Sequence, residues 1–357
     1  MKFADVLEIK NGRNQRQVEN PDGRYPIYGS GGVMGRADDY ICEAETVVIG
    51  RKGSINNPIF VNEPFWNVDT AFGLIAKRDV LLPKYLYYFC VNFDFEKLNT
   101  TVTIPSLTKA NLLQIEIALP TLEEQKKVVD VLDKVTNLVE LRQQQLAKLD
   151  ELVKARFIEM FGDPVSNQKE WKLVPLGKRC KIITGNTPSR AELENYGEFI
   201  EWIKSDNINT PFMFITKAQE CLSKTGFEKC RFVEAGSLLM TCIAGSINCI
   251  GNVAVTDRRV AFNQQINAII PAKDKVVYLY WLMMLSKPVI NRTINMALKG
   301  ILSKRQLAEM EFPFPPLDLQ EKFEGLVEKV NKSRRFIQKS LEQMEILKKA
   351  LMQKYFG

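Results

Sequence analysis

One stretch of this chain occurs twice, and the repetition limits the fold more than anything else in the sequence. Leu119 to Gly162 recurs as Phe314 to Gly357 at a constant shift of 195 residues, without a gap. Pro120, Leu122, Gln125, Phe161 and Gly162 return as Pro315, Leu317, Gln320, Phe356 and Gly357. The chain is a tandem duplication, so its function should be something done twice.

Each copy reads as one long helix. A proline opens it (Pro120; Pro315 and Pro316), where a missing amide hydrogen costs nothing. Phe323, Val330, Ile337, Met344 and Leu351 recur at seven-residue spacing, with Val128, Val135 and Leu149 matching in the first copy. That is a coiled-coil seam. Arg142 and Arg156 interrupt the first helix where the second has Ile337 and Leu351. Roughly forty residues rising ~1.5 Å each make rods of about 60 Å. Two arrangements fit: a dimerisation coiled coil, or two copies packed antiparallel within one chain as a spacer between two domains.

The 357 residues suffice for two or three domains with real cores. The longest apolar run, Val276 to Leu285, is too short for a bilayer and no signal peptide opens the sequence, so a cytoplasmic protein without membrane contact is expected. The seven cysteines show no zinc-ligand spacing and read as reduced core residues, with neither disulfides nor a metal. Histidine is absent. Its absence removes Ser-His-Asp and Cys-His catalysis and most zinc sites. The net charge of +7 is uneven: residues 1–103 carry 12 basic against 13 acidic side chains, and residues 163–299 carry 18 against 12. The second segment thus suits a polyanion.

Residues 1–103 form a first globular segment. MKFADVLEIKNGR reads as a short helix and turn, RYPIYGSGGVMGRADDY as a glycine-rich loop, and ETVVIG through FGLIA as a small twisted sheet. LLPKYLYYFCVNFDF reads as an aromatic-rich helix. Residues 163–299 repeat that order: Gly185 stands in the place of Gly12, Phe262-Asn263 answers Trp66-Asn67, Gly245-Ser246-Ile247 answers Gly53-Ser54-Ile55, and Tyr278-Leu279-Tyr280 answers Tyr85-Leu86-Tyr87. Residues 104–162 and 300–357 are the two helical regions. The order is globular, helix, globular, helix.

Several motifs carry alternatives. Asn57-Pro58-Ile59-Phe60 approaches the N-P-P-[FY] signature of adenine methyltransferases, but isoleucine replaces the second proline and a turn is the plainer reading. No G-x-x-x-x-G-K-[ST] phosphate loop is present. Glu124-Gln125-Lys126 fits a nuclease E-x-K pair but falls on the helical rod as a solvated face. Gln264 and Gln265 could pair with adenine or serve the structure. The tyrosines of both aromatic helices, with Trp281, fit a core better than a base-stacking platform.

The PLxxQ entry to each long helix, the Phe-Gly ending, the GRKGSI…EPFWNVDT block and the AFNQQINAI block together resemble the specificity subunit of type I restriction-modification systems over essentially the whole chain. The resemblance implies an α+β fold: two small mixed target-recognition domains separated by two long antiparallel coiled-coil helices, with an internal pseudo-twofold repeat. It also implies a non-catalytic chain reading a split double-stranded DNA target, one half-site per domain. Two modification subunits, binding S-adenosylmethionine, and two restriction subunits, using ATP and Mg, would supply the chemistry. Family members often carry sequence ahead of the first domain, whereas this chain starts directly at it. A coiled-coil scaffold binding only proteins is the alternative.

Glycines let a backbone approach DNA closely, and Arg, Lys, Ser, Thr, Asn and Gln reach phosphates and base edges. The candidate DNA contacts are therefore Arg13, Tyr28, Ser30, Arg36, Arg51, Lys52 and Ser54 in the first domain. In the second they are Asn186, Thr187, Ser189, Arg190, Lys204, Asp206, Asn207, Ser246 and Gln264. The Tyr25–Gly32 stretch could equally be a glycine turn joining two strands.

Overall fold

Residues 1–99, 105–294 and 300–357 are described by the computed structural model. They divide into two units, Met1–Gln144 with Ile337–Gly357, and Gln145–Phe336. The expected segment ends at Thr103 and Lys299 lie outside the described residues.

The first unit opens with a single helical turn, α1 (Phe3–Val6), running straight into a strand, β1 (Leu7–Asn11). The next strands are β2 (Tyr25–Gly29), β3 (Gly32–Ala37), β4 (Thr46–Gly50), β5 (Ile59–Val61), β6 (Trp66–Asn67) and β7 (Ala71–Ala76). Of the two readings of the glycine-rich stretch, the turn joining two strands is the one found: a β2–β3 hairpin closed by Ser30-Gly31. Gly32 sits at φ +119°, a conformation open to glycine and costly for side chains. Asn57 and Pro58 lie in the irregular stretch between a turn at Ile55-Asn56 and β5. The strands make an antiparallel sheet ordered β1-β7-β4-β5 and a second ordered β3-β2-β6, in which β2 and β6 run parallel. Helices α2 (Pro83–Asn92) and α3 (Lys109–Leu113) follow, then the long α4 (Leu122–Phe161).

The second unit repeats this plan with insertions. Strand β8 (Leu173–Pro175), α5 (Leu176–Arg179) and β9 (Cys180–Thr184) lead to β10 (Tyr196–Ile203), α6 (Ser205–Ile208), β11 (Cys221–Leu222), α7 (Lys224–Glu228) and β12 (Phe232–Val233). Then come β13 (Leu238–Thr241), β14 (Ile243–Ala244), β15 (Val253–Val255), β16 (Val260–Phe262), β17 (Ile266–Pro271) and α8 (Val276–Arg292). Last are β18 (Gly300–Ile301), α9 (Lys304–Glu309), β19 (Glu311–Pro313) and the second long helix α10 (Leu317–Phe356). The sheet β9-β17-β13-β15 has the order of β1-β7-β4-β5, and β10 lies parallel to β16 as β2 does to β6.

The long helices end at Phe161 and Phe356, one residue before the repeat does, and both start just after their prolines. Thr121 caps α4: its hydroxyl accepts from the Glu124 N–H at 3.3 Å, while the Glu124 carboxylate accepts from the Thr121 N–H at 2.9 Å. Hydrogen bonding to Thr121 holds the Glu124 carboxyl below its usual range. The two helices pair antiparallel within the chain. In the second unit Phe323 meets Phe157 and Phe161 at 5.5 and 5.4 Å, and further along Arg334 donates to Asp150. In the first unit Val129 and Leu132 share a core with Met352. Of the expected seam, Phe323 and Val330 are buried, whereas Ile337, Met344 and Leu351 are half-buried.

The repeated glutamine explains the PLxxQ entry. Gln125 is completely buried, not on a solvated face. Its Oε1 accepts from Leu82 N–H at 2.9 Å, and its Nε2 donates to the carbonyls of Val80 and Pro120 at 2.9 Å each. Gln320, equally buried, accepts from Lys275 N–H at 2.9 Å and donates to the Pro315 carbonyl at 3.0 Å. Each amide therefore satisfies the free backbone donor at the start of α2 or α8 and pins that helix to the long one. A tyrosine completes the lock, Tyr85 donating to the Ala118 carbonyl (3.3 Å) and Tyr278 to that of Pro313 (2.7 Å). These tyrosines are core residues, and burial raises the pKa of both phenols.

Candidate nucleic-acid interface

The two parallel strand pairs set the framework of each candidate surface. In the first domain Gly12 follows β1, and an added Cβ there would lie 1.7 Å from the Val68 carbonyl oxygen. In the second Gly185 follows β9, and a Cβ there would lie 2.2 Å from the Asn263 carbonyl oxygen. Only glycine fits either crossing. The residue after each glycine is then fixed by its backbone: Arg13 N–H donates to the Asn67 carbonyl at 2.8 Å, and Asn186 N–H to that of Phe262 at 3.2 Å. Asn67 and Asn263 are themselves buried, so they serve the frame.

In the first domain the structure brings Ser30 beside the 50–54 loop. A Cβ on Gly50 would lie 2.9 Å from the Ser30 Cβ, and one on Gly53 would lie 3.9 Å from its hydroxyl. Arg51 and Lys52 leave β4 with their N–H groups on the Thr70 carbonyl, at 2.8 and 3.3 Å. Arg13, Arg51, Lys52 and Ser54 are exposed, and the three cations make no ion pair among the described residues. Arg51 lies over the Phe72 ring at 5.7 Å. Tyr28 is half-buried against Phe65, and burial raises its phenol pKa. Arg36 differs: its guanidinium donates to the Gly23 and Arg24 carbonyls at 2.6 Å each, which ties the hairpin to the preceding chain.

In the second domain most candidates are already engaged with the protein. Asn186 donates to the Lys229 carbonyl at 2.9 Å and accepts from Arg231 N–H at 2.8 Å. Asn207 accepts from Lys204 N–H at 3.0 Å and donates to the Lys217 carbonyl at 3.1 Å. Thr187 bonds to Gln264, both exposed, while Gln265 accepts from Asn263 at 3.2 Å. The Ser246 hydroxyl accepts from Asn248 N–H at 3.3 Å. Ser189 and Asp206 are exposed.

Arg190 and Lys204 converge on one carboxylate, Glu220, which no sequence motif marks. Arg190 donates to both its oxygens, at 2.8 and 3.2 Å, and Lys204 pairs with the same group. Burial opposes the charge on Glu220, yet the hydrogen bonds from Arg190 and Lys204 outweigh it and hold the carboxyl below its usual range. Nearby, Arg258 grips Glu201 at 2.6 and 2.8 Å, which lowers that pKa, and Arg259 pairs with Glu234. Loops of exposed cations, serines and amides on a rigid sheet frame can meet phosphates and base edges. Among the described residues no three His, Cys, Asp or Glu side chains are grouped to hold a metal ion. No helix of the described residues is long and apolar enough to cross a membrane.

The type I restriction modification DNA specificity domain model matches residues 1–151 and 168–345. Over 305 residues the chain is 23% identical to a putative type I restriction enzyme MjaX specificity subunit of Methanocaldococcus jannaschii, covering 78% of this chain and 68% of that one. Over 298 residues it is 29% identical to the type I restriction enzyme HindI specificity subunit of Haemophilus influenzae, covering 61% and 64%. The chain thus spans about two thirds of the length of these relatives. In fold it is similar to the S subunit of a type I restriction-modification system from M. genitalium, with a TM-score of 0.67 at 16% identity, covering 100% of this chain and 95% of that one. A second similar chain, from a structure concerned with complex assembly and conformational transition of the type I R-M system, gives 0.57 at 17%, covering 100% and 96%.

Proposed function

The chain belongs to the type I restriction-modification DNA specificity family and is a specificity protein rather than an enzyme, and from that premise we propose that each domain reads one half of a split double-stranded DNA target. Phosphate contacts position each domain, and loop side chains read base edges in the major groove. The observation that carries this reading is the repeated frame: the Gly12 and Gly185 crossings present the same loops twice on the same strand order. Modification and restriction subunits are the partners, two of each. S-adenosylmethionine, ATP and Mg belong to those partners, and methyl transfer and cleavage occur there.

Methylome sequencing of cells that carry the chain with its partners tests the reading. A split methylated motif, two fixed half-sites with unspecified bases between them, is expected. A continuous motif, or methylation unchanged by deleting this chain, contradicts it.

A further inference from the structure

Glu220 occupies the place where two cations of the second domain, Arg190 and Lys204, meet. Its backbone carbonyl accepts from Trp202 N–H at 3.1 Å, so its position does not depend on its side-chain charge. Arg190 lies over the rings of Tyr196 and Trp202 at 5.0 and 5.6 Å, and Lys204 lies over Trp202 at 5.2 Å. Aromatic faces thus orient both cations before any ligand arrives. The Trp202 indole N–H is buried and has no hydrogen-bond partner among the described residues. Trp202 also lines a cavity with Lys204, Asp206, Asn207, Gln219 and Glu220. The Glu220 side chain is 26% exposed and the Arg190 side chain 60%, so solvent and a ligand can reach the pair.

A guanidinium that binds two carboxylate oxygens side by side offers the same fork to two oxygens of a phosphodiester. The geometry points to Glu220 as a built-in substitute for a DNA phosphate, holding an anion seat made by Arg190 and Lys204 that a backbone phosphate takes over when the second domain is docked. The inference rests on the DNA-reading function above and adds a device for discrimination. On random DNA the exchange replaces one anion by another and gains little. On the target, base contacts hold the phosphate against the seat at high effective concentration, and the exchange goes forward. Glu220 acts through Arg190 and Lys204 and is a positioning residue.

The test uses the chain assembled with its modification subunits. Binding to a target duplex and to a random duplex of equal length is measured over a salt series, for the natural protein and for Glu220→Gln. The variant leaves two cations without their carboxylate. Random-duplex affinity should rise about tenfold at low salt as a nearby like charge is removed, and its dependence on log salt should steepen by about 0.9 for each phosphate gained. The target-to-random ratio should fall. Adding Arg190→Ala to Glu220→Gln should reverse the gain, a result that a general loss of folding would not give. Random affinity that is unchanged or lower in Glu220→Gln, at the natural salt slope, overturns the inference. Natural protein whose target binding ignores salt would instead sink the DNA reading itself.

Discussion

The two domains share a frame and differ in how their loops hold charge. In the first, Arg13, Arg51 and Lys52 are exposed and make no ion pair among the described residues. In the second, Arg190, Lys204, Arg258 and Arg259 are each held by a glutamate: Glu220 for the first two, then Glu201 and Glu234. The frame is set by burial, where a change of shape is costly. The loops are exposed, where substitutions cost little stability, so two readers built alike are free to carry different chemistry.

The largest effect that could break the comparison lies at the crossing glycines. Gly12→Ala and Gly185→Ala each drive a Cβ into a carbonyl oxygen, at 1.7 and 2.2 Å. Each should cost roughly 3 kcal/mol or more, because backbone on both sides must move. Gly12→Ala should be the worse, measured by denaturant unfolding of each variant. Tolerance of either one would mean that the two crossings are not the same device.

Next come the buried glutamines. Gln125→Leu should cost about 2 kcal/mol, from stranded backbone groups. Gln320→Leu should cost about 1 kcal/mol more, because a buried charged partner is also affected. Where Gln125 Nε2 donates to the Val80 carbonyl, Gln320 Nε2 donates to Asp274 at 2.9 Å, and that buried carboxylate also holds Arg179. Equal losses would show that the charged Asp274 acceptor is worth no more than the Val80 carbonyl.

A smaller difference should appear in acid. Glu201 and Glu220 have pKa values lowered below 4.5 by their arginine and lysine partners, so their stabilisation is full above that pH and lost as pH falls through the folded values. Each contributes on the order of 1 kcal/mol. Among the described residues of the first unit the one carboxylate held below its usual range is the exposed cap Glu124, by its hydrogen bonds with Thr121. Amide exchange between pH 3 and 5 should therefore show strands β10 and β16 loosening before β1 and β7. The reverse order would contradict this account of the ion pairs.

Much of the frame was legible because the repeat compares the chain with itself. Pairing Gly12 with Gly185, Asn67 with Asn263 and Gln125 with Gln320 picks out residues with one buried task each. The candidate surface was less so. Tyr25–Gly32 reads equally as a loop or as a turn joining two strands, because its glycines fit both and the pairing of β2 with β6, distant in sequence, is not visible locally. Arg36, Asn186 and Asn207 have the chemistry of DNA contacts, but their partners are nearby backbone groups that composition does not reveal. Glu220 carries no signal at all, since its meaning comes from Arg190, thirty residues away, and Lys204, sixteen away.

The central claim is that one domain reads one half-site. Residues 1–99 are exchanged for the first domain of another family member, the chain is expressed with its partners, and the methylated motif is sequenced. The account predicts that one half of the motif changes and the other half keeps every base. A motif altered in both halves, or in neither, would contradict it.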